Sequence, residues 1–120
     1  MANKGVNKVT LLGRIGTDPD LRKTPNGKSV ISFTLATSEV WKDQSGQQQE
    51  LTDWHQVVIW GGRAEVVNMY AVKGDQIYIE GKNRTRKYTD KDNMERWTTE
   101  VVVDQGGEVQ LIGNKPAQPK

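Results

Sequence analysis

Apolar and polar residues alternate along most of this chain. In residues 28–41, Ile31, Phe33 and Leu35 fall on one side of an extended segment and Ser32, Thr34 and Ala36 on the other. That is the period-two pattern of a strand with one buried face. Segments of the same kind occupy residues 6–12, 52–60 and 96–103, and another begins at Asp75 and continues through Ile77, Ile79 and Gly81. Residues 110–112 predict one more short edge strand. Ala64, Val67 and Ala71 recur at i, i+3 and i+7, which predicts a helix over residues 63–72 with Tyr70 extending the same side. Lys73 and Gly74 then offer a cation for the last turn and a left-handed cap. Gly13 and Gly16 interrupt the first strand, and Pro25-Asn26-Gly27 marks a turn. The polar stretch 43–50 predicts a protruding hairpin loop, and a second hairpin turns at residues 89–93. Five strands with one helix between the third and the fourth is the chain order of an OB-fold barrel. The predicted fold class is therefore all-β, a five-stranded OB-fold barrel with one short helix and long β-hairpin loops. It spans residues 1–113, with an untethered tail over residues 114–120.

Composition narrows the function. A chain of 120 residues is one domain, and 34% hydrophobic content leaves a small core that gains by oligomerising. No apolar run approaches the length of a membrane span, and the start has no apolar leader. With no Cys and one His, disulfides, thiolate sites and multi-histidine metal sites are excluded, and a reducing cytoplasm is expected. The net charge is only +2, so the distribution matters more than the sum. Residues 1–28 hold Lys4, Lys8, Arg14, Arg22, Lys23 and Lys28 against Asp18 and Asp20. Residues 82–96 hold six cations against Asp90, Asp92 and Glu95. Two local positive zones suit a groove that tracks a phosphate backbone.

The aromatic residues supply the rest. Trp54 and Trp60 lie an even number of residues apart in one strand, so both indoles share a face with Gln56 and Val58. At this spacing the rings sit roughly 20 Å apart, the length of several bases. In the following strand Lys82, Arg84, Arg86 and Tyr88 share one side. Such a row of like charges repels unless acids or a polyanion neutralise it. With single-stranded nucleic acid as partner, the cations pair with phosphates and the rings stack on bases whatever the sequence. Trp41, beside Lys42, reads as a third platform or as an anchor of its hairpin. Trp97 shares parity with Val101 and Val103 and is expected in the core or between subunits. His55 shares its side with Val57 and Ile59 and has no nucleophile or metal set around it. Asp18/Asp20 and Asp90/Asp92 sit in turn-like sequence, and Gly13-Arg-Ile-Gly16 is no phosphate loop. No catalytic constellation, cofactor or metal is expected. The same face could instead meet protein, as in an assembly module, or RNA.

Residues 6–18, Pro25-Asn-Gly27, Thr52-Asp-Trp-His55, Glu80-Gly81 with Arg84-Thr-Arg-Lys87, and Thr98-Thr-Glu-Val-Val-Val103 resemble the bacterial single-stranded DNA-binding protein family. The resemblance runs through about residues 3–113 in order and with matching gaps. It implies an OB fold that forms homotetramers and wraps single-stranded DNA in replication, recombination and repair, in the cytoplasm and on the nucleoid. By position it puts base stacking on Trp41, Trp54, Trp60 and Tyr88, and the subunit interface at His55. Phosphate contacts fall on Lys8, Lys42, Arg63, Lys73, Arg84, Arg86 and Lys87. Gln56 stands where the family frequently has Arg, which implies weaker phosphate neutralisation at that point. The family's acidic C-terminal tip does not occur before Lys120, so recruitment of replication and repair proteins is in doubt for the sequence as given.

Overall fold

The computed structural model describes residues 4–113; the tail expected over residues 114–120 lies outside them. Eight elements follow in order: β1 (Val9–Ile15), β2 (Asp20–Lys23), β3 (Ser29–Lys42), β4 (Gln48–Trp60), α1 (Gly62–Tyr70), β5 (Gln76–Thr89), β6 (Glu95–Val103) and β7 (Glu108–Gly113). The hydrogen-bonded order β1-β3-β4-β6-β5 closes through a β1–β5 pairing, giving a five-stranded barrel. β4 and β6 run parallel and every other neighbouring pair is antiparallel. The helix lies between the third and fourth barrel strands, as the sequence predicts. β2 pairs with β3, and β7 adds to β5 where the sequence predicts an edge strand.

Closure requires two strands to change partners. β1 pairs with β5 from Val9 to Arg14 and with β3 at Arg14 and Ile15. β5 pairs with β1 and β7 through Gly81 and earlier residues, and with β6 from Lys82 onward. A glycine sits at each corner. A Cβ on Gly13 would lie 2.2 Å from the Ala36 carbonyl oxygen, and one on Gly81 would lie 2.5 Å from that of Val102. Only a residue without a side chain lets the backbones approach so closely. Gly13 therefore bends the first strand instead of ending it, and the strand continues to Ile15.

The core is a single cluster of thirteen buried residues: Ile15, Ile31, Phe33, Leu35, Val57, Ile59, Ala64, Val67, Ala71, Ile77, Ile79, Val101 and Val103. The inward parity expected for Ile31, Phe33 and Leu35 holds, and all three are buried. Helix α1 covers this cluster with Ala64 and Val67. It ends earlier than its periodicity suggests, at Tyr70, with Ala71 extended as its C-cap. Tyr70 is 68% exposed and does not share the buried side. The Asp75 carboxylate accepts the Val72 amide, and the Asp75 amide donates to the Val72 carbonyl, so Lys73 and Gly74 lie at the centre of a tight turn after the helix and not in its last turn or cap as expected. A polar side chain competing for the backbone has stopped the helix.

Two long hairpins, β3–β4 and β5–β6, extend past the barrel. Because β4 and β6 run parallel and pair only at residues 57–59 and 101–103, their earlier halves leave the barrel at the same end and diverge. Both hairpin ends use one turn design. The Asp43 amide donates to the Gln47 carbonyl and Gly46 donates back to Asp43; Asp90, Met94 and Asn93 repeat the pattern. Gly46 (φ 86°) and Asn93 (φ 64°) take the left-handed position that closes a three-residue hairpin loop. Among the described residues no helix is long and apolar enough to cross a membrane.

Candidate nucleic-acid interface

Directly paired residues in neighbouring strands point to the same side of a sheet. The register therefore decides which candidate side chains share a wall. Val58 pairs with Val102, and Lys82 pairs with Val102 as well. Counting by twos from these pairs, Trp54, Gln56 and Trp60 on β4 lie on the same outward wall as Lys82, Arg84, Arg86 and Tyr88 on β5. Lys42, on the even positions of β3, belongs to this wall too. The rings are accessible: Trp54 is 61% exposed, Tyr88 41% and Trp60 37%. Their strand neighbours Val57 and Ile59 are fully buried, so each apolar stretch splits into a structural and an accessible half.

Trp54 is held down from beneath. A Cβ on Gly16 would stand 2.4 Å from the Trp54 ring and 2.9 Å from the Thr34 hydroxyl. Gly16 is thus the clearance that lets the indole lie against the barrel surface. Sequence inspection reads Gly16 as a chain break and misses this role. Beside Trp60 a broad hollow opens between the β2–β3 turn, the start of α1 and the β6–β7 loop, lined among others by Lys28, Ser29, Glu65, Lys82 and Asp104.

The cations on this wall are not equivalent. Arg86 donates from Nε and Nη2 to the two carboxylate oxygens of Glu100, both at 3.2 Å. These bonds favour the charged guanidinium and raise its pKa above the ordinary arginine value. Arg84 forms no ion pair among the described residues. Lys82 reaches Asp104 only at 4.0 Å. An acid on the wall therefore relieves part of the repulsion that the sequence pattern poses. Elsewhere the expected phosphate contacts are tied in other ways. Lys8 lies 3.6 Å from Glu80, whose pKa is lowered first by the Tyr78 hydroxyl that bonds it and then by Lys8. Arg63, half-buried on the helix, donates to the backbone carbonyls of Gly107 (2.5 Å) and Asp104 (3.4 Å) and so pins the β6–β7 loop. Lys73 is exposed just beyond α1.

Three candidates lie on the reverse side. Trp41 pairs with Gln49 at odd parity, on the face that carries Leu35 and His55 lower down, and it is 46% exposed. His55 is half-buried and its Nε2 lies 2.9 Å from the Thr37 hydroxyl. Lys87 pairs with Trp97, its ammonium 5.6 Å from the centre of that ring and 3.4 Å from Glu95. Trp97 is 67% exposed, so of the two places expected for it, the core and a contact between subunits, the core is ruled out. Its parity with Val101 and Val103 is as read, but β6 has left the barrel by residue 97 and the core face has become open surface. Among the described residues no group of three or more His, Cys, Asp or Glu side chains is placed to hold a metal.

Residues 6–112 match the profile of the Single-strand binding protein family. Among solved structures, the chain is similar to a Plasmodium falciparum SSB in complex with ssDNA. The two share 30% identity, the match covers 93% of this chain and 99% of that one, and the TM-score is 0.82.

Proposed function

The chain belongs to the single-strand binding protein family, and on that premise we propose that it binds single-stranded DNA without sequence preference, protecting it during replication, recombination and repair. The observation that supports this most is the shared outward wall of Trp54, Trp60 and Tyr88 with Lys82, Arg84 and Arg86. Stacking on such rings tolerates any base and contributes about 1–3 kcal/mol per base, while the cations follow the backbone. Trp41 and Lys87 extend the path to the reverse sides of the hairpins, and Lys42 lines the outward side of the first. Lys8, Arg63 and Lys73 serve phosphates at the periphery, where Lys8 and Arg63 would exchange the protein partners they hold. The protein acts as a homotetramer with His55 near a subunit contact, a reading supported by the small core and by exposed apolar residues such as Leu12.

Titration with poly-dT tests this reading. Tryptophan fluorescence is expected to fall to a saturable end point, with affinity declining linearly in log salt. Poly-U is expected to compete less well than poly-dT. Replacing Trp54 by Ala costs about 1–3 kcal/mol per stacked base. Equal competition by poly-U would point to an RNA-binding module, and absence of stoichiometric saturation to a face that meets protein.

A further inference from the structure

The two hairpins that leave the barrel are built alike, and the likeness extends to their aromatic residues. On β3–β4, Trp54 lies on the outward side and Trp41 on the reverse. On β5–β6, Tyr88 lies on the outward side and Trp97 on the reverse. Trp97 is the most exposed indole of the described chain. Its neighbours on that side are Asn83, Thr85, Lys87, Thr89, Glu95 and Thr99, all polar, with the Thr85 and Thr99 hydroxyls bonded at 3.0 Å. Of the exposed apolar residues near it, Tyr88 has the opposite parity and Met94 lies in the turn before β6. A protein contact centred on Trp97 would need a contiguous apolar patch, and this face offers none. It offers one accessible ring with an ammonium 5.6 Å from its centre, the pairing that accepts a base beside its phosphate.

We infer that Trp97 is a further stacking site for a base of single-stranded DNA. The strand crosses the edge of the β5–β6 hairpin from the Arg86–Tyr88 side and lays a base on the free side of the indole, while Lys87 turns from Glu95 to the adjoining phosphate. This rests on the proposed DNA binding and extends it to a surface that the outward wall does not include. A two-stranded ribbon is thin enough for one strand to pass around it. Glu95, two-thirds exposed beside Lys87, is the one carboxylate on this side and must release its lysine as DNA arrives.

Protein labelled with 5-fluorotryptophan separates the possibilities by fluorine NMR, with Trp97→Phe assigning the resonance. On addition of a long oligo-dT, the Trp97 resonance is expected to shift and saturate together with those of Trp54 and Trp60. Trp97→Ala is expected to weaken binding of that oligomer at least fivefold, and Trp97→Phe to restore most of it. Movement of the Trp54 and Trp60 resonances with Trp97 fixed overturns the inference and leaves the general reading standing. If no tryptophan responds, the general reading fails as well. A Trp97 resonance that instead follows protein concentration without DNA, with an altered sedimentation coefficient in Trp97→Ala, assigns the ring to a contact between copies and also overturns the inference.

Discussion

At the scale of single residues, charge pairing decides which cations serve a ligand. Arg84 and Arg86 are two positions apart on one strand face, yet only Arg86 is held by Glu100. A polyanion that pairs with Arg86 must displace a carboxylate, whereas Arg84 has no ion pair to give up among the described residues. Each phosphate neutralised contributes roughly 0.7 to the slope of log affinity against log salt for single strands. Arg84→Ala is expected to reduce that slope by about this amount. Glu100→Gln is expected to tighten binding by freeing Arg86. Affinity unchanged in Glu100→Gln would show that Arg86 meets no phosphate. Gln56→Arg adds a cation to the same wall between Trp54 and Trp60, and is expected to steepen the slope in turn. Gly16 shows how a residue without chemistry serves a site: Gly16→Val would lift the Trp54 ring from its seat, and affinity should fall about as far as in Trp54→Ala.

The hairpins are the elements that carry the interface beyond the barrel, and their ends are set by two aspartates. Asp43 accepts from the Ser45 hydroxyl and amide and the Gln47 amide, and Asp90 from Arg96 and the Met94 and Asp92 amides. The Ser45 hydroxyl chiefly holds the Asp43 pKa below its ordinary value, and Arg96 chiefly does so for Asp90. A carboxylate depressed on folding contributes stability that is complete above its unfolded pKa, about 3.9, and is lost as pH falls through the lower folded value. The Ser45, Gln47, Asp92 and Met94 amide resonances, whose N–H groups donate to these carboxylates, should therefore titrate with midpoints below about pH 4. A midpoint at or above the ordinary aspartate value would show these bonds to be absent in solution.

Much of this architecture was legible in the sequence because alternation survives wherever one strand face is buried. The chain order of the barrel strands and the common parity of Trp54 and Trp60 follow from it, and the helix between the third and fourth follows from its own i, i+3, i+7 spacing. What alternation does not report is where a strand leaves the barrel. Trp97 keeps core parity after the core has ended, and Tyr70 keeps helical spacing where α1 has already turned its flank outward. Short β2 has no alternation long enough to read, with only Leu21 half-buried in Asp20–Lys23. The pairing of Arg86 with Glu100 joins residues of two strands and needed the register.

Considered whole, the described residues enclose little interior. Thirteen buried hydrophobic residues hold the barrel and helix together, while Val66, Met69, Tyr70 and Val72 remain exposed along α1 and the turn after it. Association between copies would cover part of such surface and add stability by mass action. Sedimentation is expected to give the mass of four chains, and a charge at the half-buried position 55, as in His55→Glu, to shift the population toward smaller species. A monomer at all concentrations would remove the proposed tetramer while leaving each barrel its own binding wall.

The central claim is that bases lie on the outward wall. Photo-crosslinking with oligo-dT carrying 5-iododeoxyuridine, read by mass spectrometry, tests it most directly. The account predicts adducts on Trp54, Trp60 and Tyr88, lost one at a time as each is replaced by Ala. Adducts confined to α1 or to the β7 edge, with these three rings unmodified, would contradict it.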